Sequence, residues 1–598
     1  MPVREYSVPA AVTVPDDARL SDAVVVNARE FPDTVNFARR TPSGWADVTA
    51  TEFAEQVAAV ARGLMARGVA AGDRVGLMSR TRFEWTLFDY AIWTAGAVVV
   101  PIYETSSAEQ VQWILGDSGA VAVVVEGPAH REIVESVRPD LPELRHVWTM
   151  DEDAVAELTA AGAEVDAETL ERRRTEVSAD DLATIIYTSG TTGRPKGCEL
   201  THRNLLFDVM TSHVGLRSLY NDTSSTLLFL PLAHVFGRVV EVGAVVNRTR
   251  LAHCPDVKDL LADLATFHPT FLLSVPRVFE KVYNGARQKA HAEGKGKIFD
   301  AADRTAVAYS RAIDTGRVPL GLRVRHAAFD KLVYGKLRAA LGGRCTAAIS
   351  GGAPLGERLG HFFRGVGVTV YEGYGLTETT AGACLNLENA LKIGSVGRPL
   401  PGVSVRVAED GELLTRGDNV FGRYWRNETA TSDAIDADGW FHTGDIGAID
   451  DDGFVTITGR KKEIIVTAAG KNVAPAVLED RLRAHPLISQ CMVVGDQQPF
   501  IGCLVTIDPE AFPAWRAAHG KASSATVADL RDDAELRAEI RAAVEEANKA
   551  VSRAEAIKEF RILPVDFTES GGELTPSLKL KRSVVLKQYA DEVAAIYT

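Results

Sequence analysis

The chain has 598 residues, of which 46% are apolar and 24% charged, and its net charge is −14. This length predicts several domains, or one large domain with a smaller one, and the composition is typical of a globular protein. The negative charge argues against broad nucleic-acid binding, which needs a basic face, but a few local lysines would suffice to bind a small anion.

The six cysteines form no CxxC pair, so we expect reduced thiols rather than a disulfide framework or a zinc site. Residues 1–20 lack an apolar core of signal-peptide length. The most apolar window, 91–102, is too short to span a bilayer. These features predict a cytoplasmic protein without a transmembrane segment, and they leave peripheral contact with a membrane open.

The first half of the chain alternates between strand and helix patterns. Residues 1–45 show no clear period and are expected to wrap the surface, whereas a helical spacing of apolar side chains begins near residue 49. Strands are predicted at 74–78, 97–102 and 121–126, with helices at 83–93 and 108–115 between them. This alternation indicates a mostly parallel α/β sheet.

Residues 187–197 follow a β-branched run and contain three glycines, four Ser/Thr hydroxyls and one lysine, Lys196. Glycines let successive N–H groups turn towards one anion, and hydroxyls and a lysine bind phosphate oxygens, so the segment predicts a phosphate loop rather than a solvated linker. It is not a Walker A motif, because Lys196 is followed by Gly197 instead of Ser or Thr.

Later strands also end in glycine-rich segments. The strands predicted at 347–350 and 368–370 run into segments 351–354 and 371–375. Since ligands gather at the carboxyl ends of strands in open α/β sheets, these segments and the phosphate loop predict one shared crevice. Residues 282–340 are charged and helical, which favours a solvated helical insertion over a nucleic-acid patch.

The pattern of predicted elements changes in the last third of the chain. Short strands and turns after about residue 390 suggest a β-rich lobe, and a charged joint at 459–463 precedes further strands at 490–494 and 503–507 and a helix at 530–551. We therefore predict an α/β protein with an N-terminal domain (1–458, its β-rich lobe at about 390–458), a hinge (459–463) and a smaller, mobile C-terminal α+β domain (464–598).

Four segments, in order, resemble the adenylate-forming superfamily, the acyl-CoA synthetases and their relatives: 187–197, 371–378, 443–445 and 459–463. Segments 274–281 and 470–475 are similar to its long-chain fatty acyl-CoA synthetase branch. The resemblance covers residue 25 onwards and implies two half-reactions. A fatty carboxylate attacks the α-phosphorus of ATP, giving acyl-adenylate and pyrophosphate, and the thiol of coenzyme A then displaces AMP. The first needs no general base, because a carboxylic acid with a pKa of about 4 is already ionised.

The resemblance also implies roles for matching residues. Thr188 and Glu378 would hold Mg²⁺, which prefers oxygen ligands. Asp445 would accept both ribose hydroxyls, although Asp after Gly is also a common turn residue. The β- and γ-phosphates would be held by Ser189, Gly190, Thr191, Thr192, Gly193 and Lys196, and the rest of the nucleotide, including its adenine, by Gly352, Ala353, Pro354, Glu372, Gly373, Tyr374, Gly375 and Thr377.

Three further residues carry open alternatives. Arg460 and Lys462 would contact the nucleotide or serve the hinge, with a salt bridge between lobes as the competing interpretation. His234 would position the fatty carboxylate, or it is a structural histidine.

The catalytic lysine is expected on a C-terminal loop, where Lys579 matches best. Leu578 stands where the family's glycine is commonest, which keeps Lys581 as an alternative. Rotation about 459–463 would bring Lys579 in for adenylation and then withdraw it for coenzyme A.

Rival interpretations remain from the sequence. One is a ligase that passes the acyl group to a carrier protein, or an aryl, bile-acid or oxidative relative. Another is a non-catalytic homologue that binds lipid or nucleotide. Acyl chain length and oligomeric state are not encoded in any motif.

Overall fold

The computed structural model describes residues 4–188, 194–468, 470–575 and 579–598. Up to residue 201 its elements are β1 (Glu5–Ser7), α1 (Asp22–Glu30), β2 (Val35–Thr41), β3 (Gly44–Thr49), α2 (Ala50–Ala66), β4 (Arg74–Met78), α3 (Phe83–Thr94), β5 (Val98–Ile102), α4 (Ala108–Ser118), β6 (Ala120–Val125), α5 (Pro128–Val137), β7 (His146–Thr149), α6 (Ala154–Ala161), α7 (Ala167–Thr175), β8 (Leu182–Thr188) and β9 (Lys196–Thr201).

The next segment carries the helical insertion. Its elements are α8 (His202–Gly215), β10 (Ser225–Leu228), α9 (Val235–Val246), β11 (Arg250–His253), α10 (Leu260–Phe267), β12 (Phe271–Ser274), α11 (Pro276–Ala292), α12 (Gly296–Asp314), α13 (Leu320–Phe329), α14 (Gly335–Ala340), β13 (Ala347–Ser350), α15 (Glu357–Val366) and β14 (Thr369–Tyr374). A π-helical turn, Asp330–Tyr334, joins α13 to α14.

The remaining elements are shorter on average. They are β15 (Cys384–Leu385), β16 (Arg398–Pro399), β17 (Ser404–Val407), β18 (Glu412–Arg416), α16 (Glu428–Ala434), β19 (Phe441–Ile449), β20 (Val455–Arg460), β21 (Ile465–Val466), β22 (Asn472–Val473), α17 (Pro475–Arg483), β23 (Ile488–Val494), β24 (Ile501–Ile507), α18 (Phe512–Ala518), α19 (Val527–Leu530), α20 (Ala534–Asn548), β25 (Ile557–Ile562), α21 (Arg582–Gln588) and α22 (Ala590–Ala594).

Two large sheets form the body of the molecule. One has six strands in the order β7-β6-β4-β5-β8-β9, and the other has nine, in the order β16-β15-β14-β13-β12-β10-β11-β2-β3. Strand β6 is buried along its whole length, because helices cover both faces of a parallel sheet. The predicted α/β alternation is thus observed, with an antiparallel β8–β9 hairpin at the edge of the first sheet.

The N-terminal segment does more than wrap the surface, and that prediction was wrong. Strand β2 pairs in parallel with β11 and buries Phe37 completely, while β1 pairs with β17. The sequence showed no clear period there because β2 places only three consecutive residues, Asn36 to Ala38, in the interior.

The β-rich lobe is a five-stranded antiparallel sheet in the order β1-β17-β18-β19-β20. Beyond it, β23, β24 and β25 form a three-stranded sheet with a hydrophobic cluster of its own, which includes Leu478, Ile540 and Phe560. The predicted long helix is shorter than expected, because Asp533 caps α20 by accepting from the N–H groups of Glu535 and Leu536. The boundaries and the hinge at 459–463 stay predictions.

Three features concern the described residues as a whole. All six cysteines are buried and unpaired. Within the described ranges, no helix is both long and apolar enough to cross a membrane. A cavity of about 2680 Å³ lies between the sheet ends, the β-rich lobe and the C-terminal sheet, and the predicted site residues within the described ranges line it.

Candidate active site

The phosphate loop closes the β8–β9 hairpin. Thr188 ends β8, Lys196 begins β9, and the two residues are paired across the strands. Both line the cavity. Ser189, Gly190, Thr191, Thr192 and Gly193 lie outside the described residues, so their phosphate-binding roles stay predictions.

Glu378 lies close to this hairpin. Its Oε1 accepts a hydrogen bond from the Tyr424 hydroxyl at 2.7 Å, and the Lys196 ammonium lies 5.0 Å from the centre of the Tyr424 ring. Burial, and then the Glu378 charge, raise the pKa of the Cys198 thiol, which also contacts Thr188. The proposed metal ligands Thr188 and Glu378 therefore flank one buried thiol.

The glycine-rich segments after β13 and within β14 form one wall of the cavity. Gly352 has φ +82°, a conformation that favours glycine, and a Cβ added at Gly375 would lie 1.9 Å from the Ala381 carbonyl oxygen. The segments are joined by Glu372, whose Oε1 accepts from the Leu355 N–H at 3.1 Å. The predicted residues of this wall that line the cavity are Gly352, Ala353, Pro354, Glu372, Gly373, Tyr374, Gly375 and Thr377.

Asp445 is buried on β19 with both carboxylate oxygens engaged. Its Oδ2 accepts from the Tyr374 hydroxyl at 2.6 Å, and its Oδ1 lies 2.9 Å from Arg460 Nε. Burial and the Asp445 charge raise the pKa of Tyr374 well above its usual value, so the phenol stays a donor. Both carboxylate oxygens thus have donors within the protein, and the ribose-binding role of Asp445 stays a prediction.

Arg460 and Lys462, the two basic residues predicted to contact the nucleotide or serve the hinge, differ in their surroundings. Arg460 closes β20 and pairs with Asp445 across the register of β19 and β20, so its salt bridge lies within the β-rich lobe. Lys462 is exposed and lines the cavity. The predicted salt bridge between lobes is thus not the one that Arg460 makes.

Lys579 enters the cavity from the C-terminal part of the chain. A Cβ built on Gly352 would lie 3.9 Å from Lys579 Cε, which puts the lysine beside the predicted adenine slot. Water reaches part of the side chain, but enclosure by the cavity walls, and then the Arg460 charge, lower its pKa, while Asp445 and Glu378 act in the opposite sense. Lys581 lines the cavity as well, but Lys579 is the lysine beside Gly352.

The loop that carries Lys579 is fixed at its base. Thr575 N donates to the Lys579 carbonyl at 2.8 Å, and Lys579 N donates to Thr575 Oγ1 at 3.0 Å. A few residues on, Arg582 lies 3.4 Å from Glu463 in the predicted hinge and also pairs with Glu479. These contacts connect the position of the lysine to the conformation of residues 459–463.

His234 caps α9, where its Nδ1 accepts from the Phe236 N–H at 3.2 Å. Burial, and then the Lys579 charge, lower the pKa of His234 to about 3, so the imidazole is neutral near pH 7. A cap is a structural role, yet the same side chain lines the cavity and lies within the field of Lys579. The structural and substrate-positioning roles are therefore compatible.

Part of the cavity lies along α8 and α9, near His234, and its lining includes the buried carboxyl of Asp208 as well as apolar side chains. Its lining residues include Val209, Ser212, Leu216, Tyr220, Val239, Val240, Gly243 and Asn247. Gly243 allows Tyr220 to pack against α9, since a Cβ added there would lie 3.1 Å from Tyr220 Cε1. We call this part of the cavity the α8–α9 channel.

Two residues of the site were missed from the sequence. Tyr424, which donates to Glu378, lies in no recognised motif. Arg277 was noted only as part of a resembling segment, although it connects the two parts of the molecule by donating to Ser489 Oγ at 3.2 Å and to Asp508 Oδ2 at 3.1 Å. A basic residue directly after Pro276, at the first turn of a helix that follows a strand, was the available signal.

Most of the chain is similar to known proteins of one family. Residues 24–425 match the family described as AMP-binding enzyme, and residues 462–598 match the AMP-binding enzyme C-terminal domain. The chain is 55% identical, over the full length of both sequences, to proteins named long-chain-fatty-acid–CoA ligase FadD15 from Mycobacterium tuberculosis and Mycobacterium bovis. Its fold is similar to the A domain of a carboxylic acid reductase from Segniliparus rugosus in complex with AMP and a co-purified carboxylic acid. In that comparison the TM-score is 0.75 and the identity 21%, over 98% of this chain and 95% of that one.

Proposed function

The chain belongs to the AMP-binding enzyme family, and from this premise we propose that it is a long-chain fatty-acid–CoA ligase. It activates a fatty acid with ATP to the acyl-adenylate and then transfers the acyl group to coenzyme A. The family and the α/β fold predicted from the sequence are confirmed. The observation that carries the activity is the convergence of Lys579, Asp445, Glu378 and His234 in one cavity that also includes the α8–α9 channel.

In the first half-reaction an oxygen of the fatty carboxylate forms a bond to the α-phosphorus, and the bond from that phosphorus to the β-phosphate bridging oxygen breaks. Negative charge accumulates on the phosphoryl oxygens, and cations held in a preorganised site stabilise it. Lys579 supplies such a charge beside the nucleotide wall, and Lys196 supplies one at the hairpin. His234 is neutral near pH 7, so we assign it to positioning the carboxylate and not to charge stabilisation.

Thr188 and Glu378 are the residues that would hold Mg²⁺. One hydroxyl and one carboxylate form an oxygen donor set that suits a hard cation which keeps most of its waters, and both side chains border the same thiol. When bound with ATP, the ion neutralises phosphate charge. The carboxylate is held in place by Tyr424, so its orientation does not depend on a ligand.

In the second half-reaction the thiolate of coenzyme A forms a bond to the acyl carbon, and the bond from that carbon to the AMP oxygen breaks. We propose that the C-terminal part of the chain rotates about residues 459–463 between the two steps, which withdraws Lys579. The support is that Arg582, a few residues after the lysine, pairs with Glu463 in the segment about which the rotation is proposed.

The α8–α9 channel supports a long, apolar substrate, because valine and leucine side chains form half of its named lining and His234 lines the same cavity. We further propose that the enzyme acts in the cytoplasm, where ATP and coenzyme A are available. Six buried, unpaired cysteines agree with a reducing compartment.

The test is ligation across a series of acids from acetate to C20, saturated and unsaturated, with coenzyme A and with an acyl carrier protein as separate acceptors. We expect AMP release that requires both a long-chain acid and coenzyme A. Transfer to the carrier protein alone would favour the alternative of an acyl-AMP ligase. A lack of fatty-acid-dependent ATP–pyrophosphate exchange would mean that the protein only binds its ligands.

A further inference from the structure

The most exposed large apolar side chains of the described residues lie together on one surface helix. Leu320 is 75% exposed, Val324 64% and Leu332 60%, and no other large apolar residue in the described ranges exceeds 59%. They recur every four residues with Ala328, also exposed, so they follow one side of α13 and the π-helical turn after it. A helix with an apolar stripe normally turns that stripe inward.

This helix is nevertheless well anchored on its opposite side. His326 Nε2 lies 2.6 Å from the Gly365 carbonyl oxygen, and its ring stacks on Tyr309 with the centroids 3.8 Å apart. Tyr334, in the π-helical turn, is fully buried and donates to the Ala302 carbonyl at 2.7 Å. The apolar side of α13 is therefore held facing outward by contacts of its other side.

Basic side chains surround the apolar stripe. Residues 317–336 contain five Lys or Arg residues and one acidic residue, although the whole chain has a net charge of −14. All five basic residues are exposed: Arg317, Arg323, Arg325, Lys331 and Lys336. The acidic residue, Asp330, is paired with Arg338 at 2.7 Å and so does not offset them.

We propose that this surface, defined by Leu320, Val324, Leu332 and the five basic residues, docks the enzyme on an anionic lipid bilayer. Apolar side chains enter the boundary between headgroups and acyl chains, while Arg and Lys bind the lipid phosphates, as in interfacial amphipathic helices. Charge complementarity selects this partner over a two-fold dimer, because in such a dimer the basic patch would face an identical basic patch. Docking would bring the enzyme to the phase in which long-chain acids concentrate.

The experiment is co-sedimentation of the full-length protein with sucrose-loaded vesicles of phosphatidylcholine alone, or mixed in equal parts with phosphatidylglycerol. We expect binding to the mixed vesicles that weakens as salt shortens the range of the electrostatic attraction. The variant R323E/K331E should bind at least 25-fold more weakly, since each basic residue near the surface contributes roughly fivefold. L320S/V324S should lose binding to a similar degree.

The matched control is V565S/L586S, which removes exposed apolar side chains (58% and 46% exposed) from the C-terminal part of the chain. It should bind like the wild type, and circular dichroism should show that all variants are folded. Equal binding by all variants, or none by the wild type, would overturn the proposal. The proposal would also be overturned if sedimentation velocity showed a wild-type dimer that L320S/V324S abolishes, and if the wild type did not bind vesicles. The assay needs no catalysis, so its outcome is independent of the proposed activity.

Discussion

Arg277, at the start of α11, donates a hydrogen bond of 3.1 Å to Oδ2 of Asp508. Asp508 lies directly after β24 in the C-terminal sheet. Both side chains are largely buried, at 16% and 14% exposure. Their contact holds the C-terminal part of the chain in the position that keeps Lys579 inside the cavity. If that part rotates for thioester formation, the Arg277–Asp508 pair must break.

Replacing Arg277 by Ala should therefore impair adenylation selectively. Loss of a charged hydrogen bond costs about 1.5–3 kcal/mol. The equilibrium between the two positions of the C-terminal part therefore shifts by roughly 10- to 100-fold away from the adenylating position. Single-turnover measurements should show at least a tenfold slower adenylate formation and an unchanged thioester step from supplied acyl-AMP. Lys281→Ala is the control, because its pair with Glu510 is exposed (52% and 73%) and contributes little. Equal effects of the two variants would contradict a role for the Arg277 pair in domain position.

Lys579→Ala tests the catalytic lysine. We expect adenylate formation to fall by about 10²–10³, the usual effect of removing one group that stabilises developing negative charge. Thioester formation from supplied acyl-AMP should be spared. Lys581→Ala, two residues away, should change neither step by more than a few fold. If both half-reactions fell equally in a folded Lys579→Ala protein, the two-conformation mechanism would lose its support.

The pH dependence of adenylation should report the same lysine. Enclosure and the Arg460 charge lower the pKa of Lys579 from its usual value near 10.5. The ammonium therefore loses its proton at a lower pH than a free lysine, and adenylation should decline on the alkaline side with an apparent pKa below 10.5. Lys579→Arg, which stays charged, should shift this decline to higher pH even if its maximal rate is lower. The rate of ATP–pyrophosphate exchange, measured between about pH 7 and 10, gives the apparent pKa of this decline.

A local sequence pattern is informative where the chemistry of a position and its backbone geometry require the same residue type. Gly352 has a positive φ that favours glycine, a Cβ at Gly375 would meet the Ala381 carbonyl oxygen, and Asp445 and Lys579 follow spacings that a motif can encode. Contacts between distant segments carry no such signal: Arg277 and Asp508 are separated by 231 residues. The stripe at Leu320, Val324 and Leu332 makes the same point, because spacing alone predicts a buried face. Contacts of His326 and Tyr334 on the opposite side hold it outward.

The α8–α9 channel gives a prediction for acyl chain length. Any side chain at Gly243 meets the Tyr220 ring, since even a Cβ would lie 3.1 Å from Tyr220 Cε1. Gly243→Val should narrow the channel there. The kcat/KM for C16 and C18 acids should fall at least tenfold, while that for acids of eight to ten carbons changes by less than threefold, because overpacking costs roughly 1–3 kcal/mol only where the chain reaches the site.

Gly285→Val is the matched control, because a Cβ at that position in α11 has no neighbour within 4 Å. It should leave the chain-length profile unchanged. Tyr220→Ala in the Gly243→Val background should restore activity on long acids, since it removes the ring that the new side chain meets. A uniform loss across all chain lengths in Gly243→Val would instead mean that the change disturbs α9 and His234, and the acyl chain would have to be placed elsewhere in the cavity.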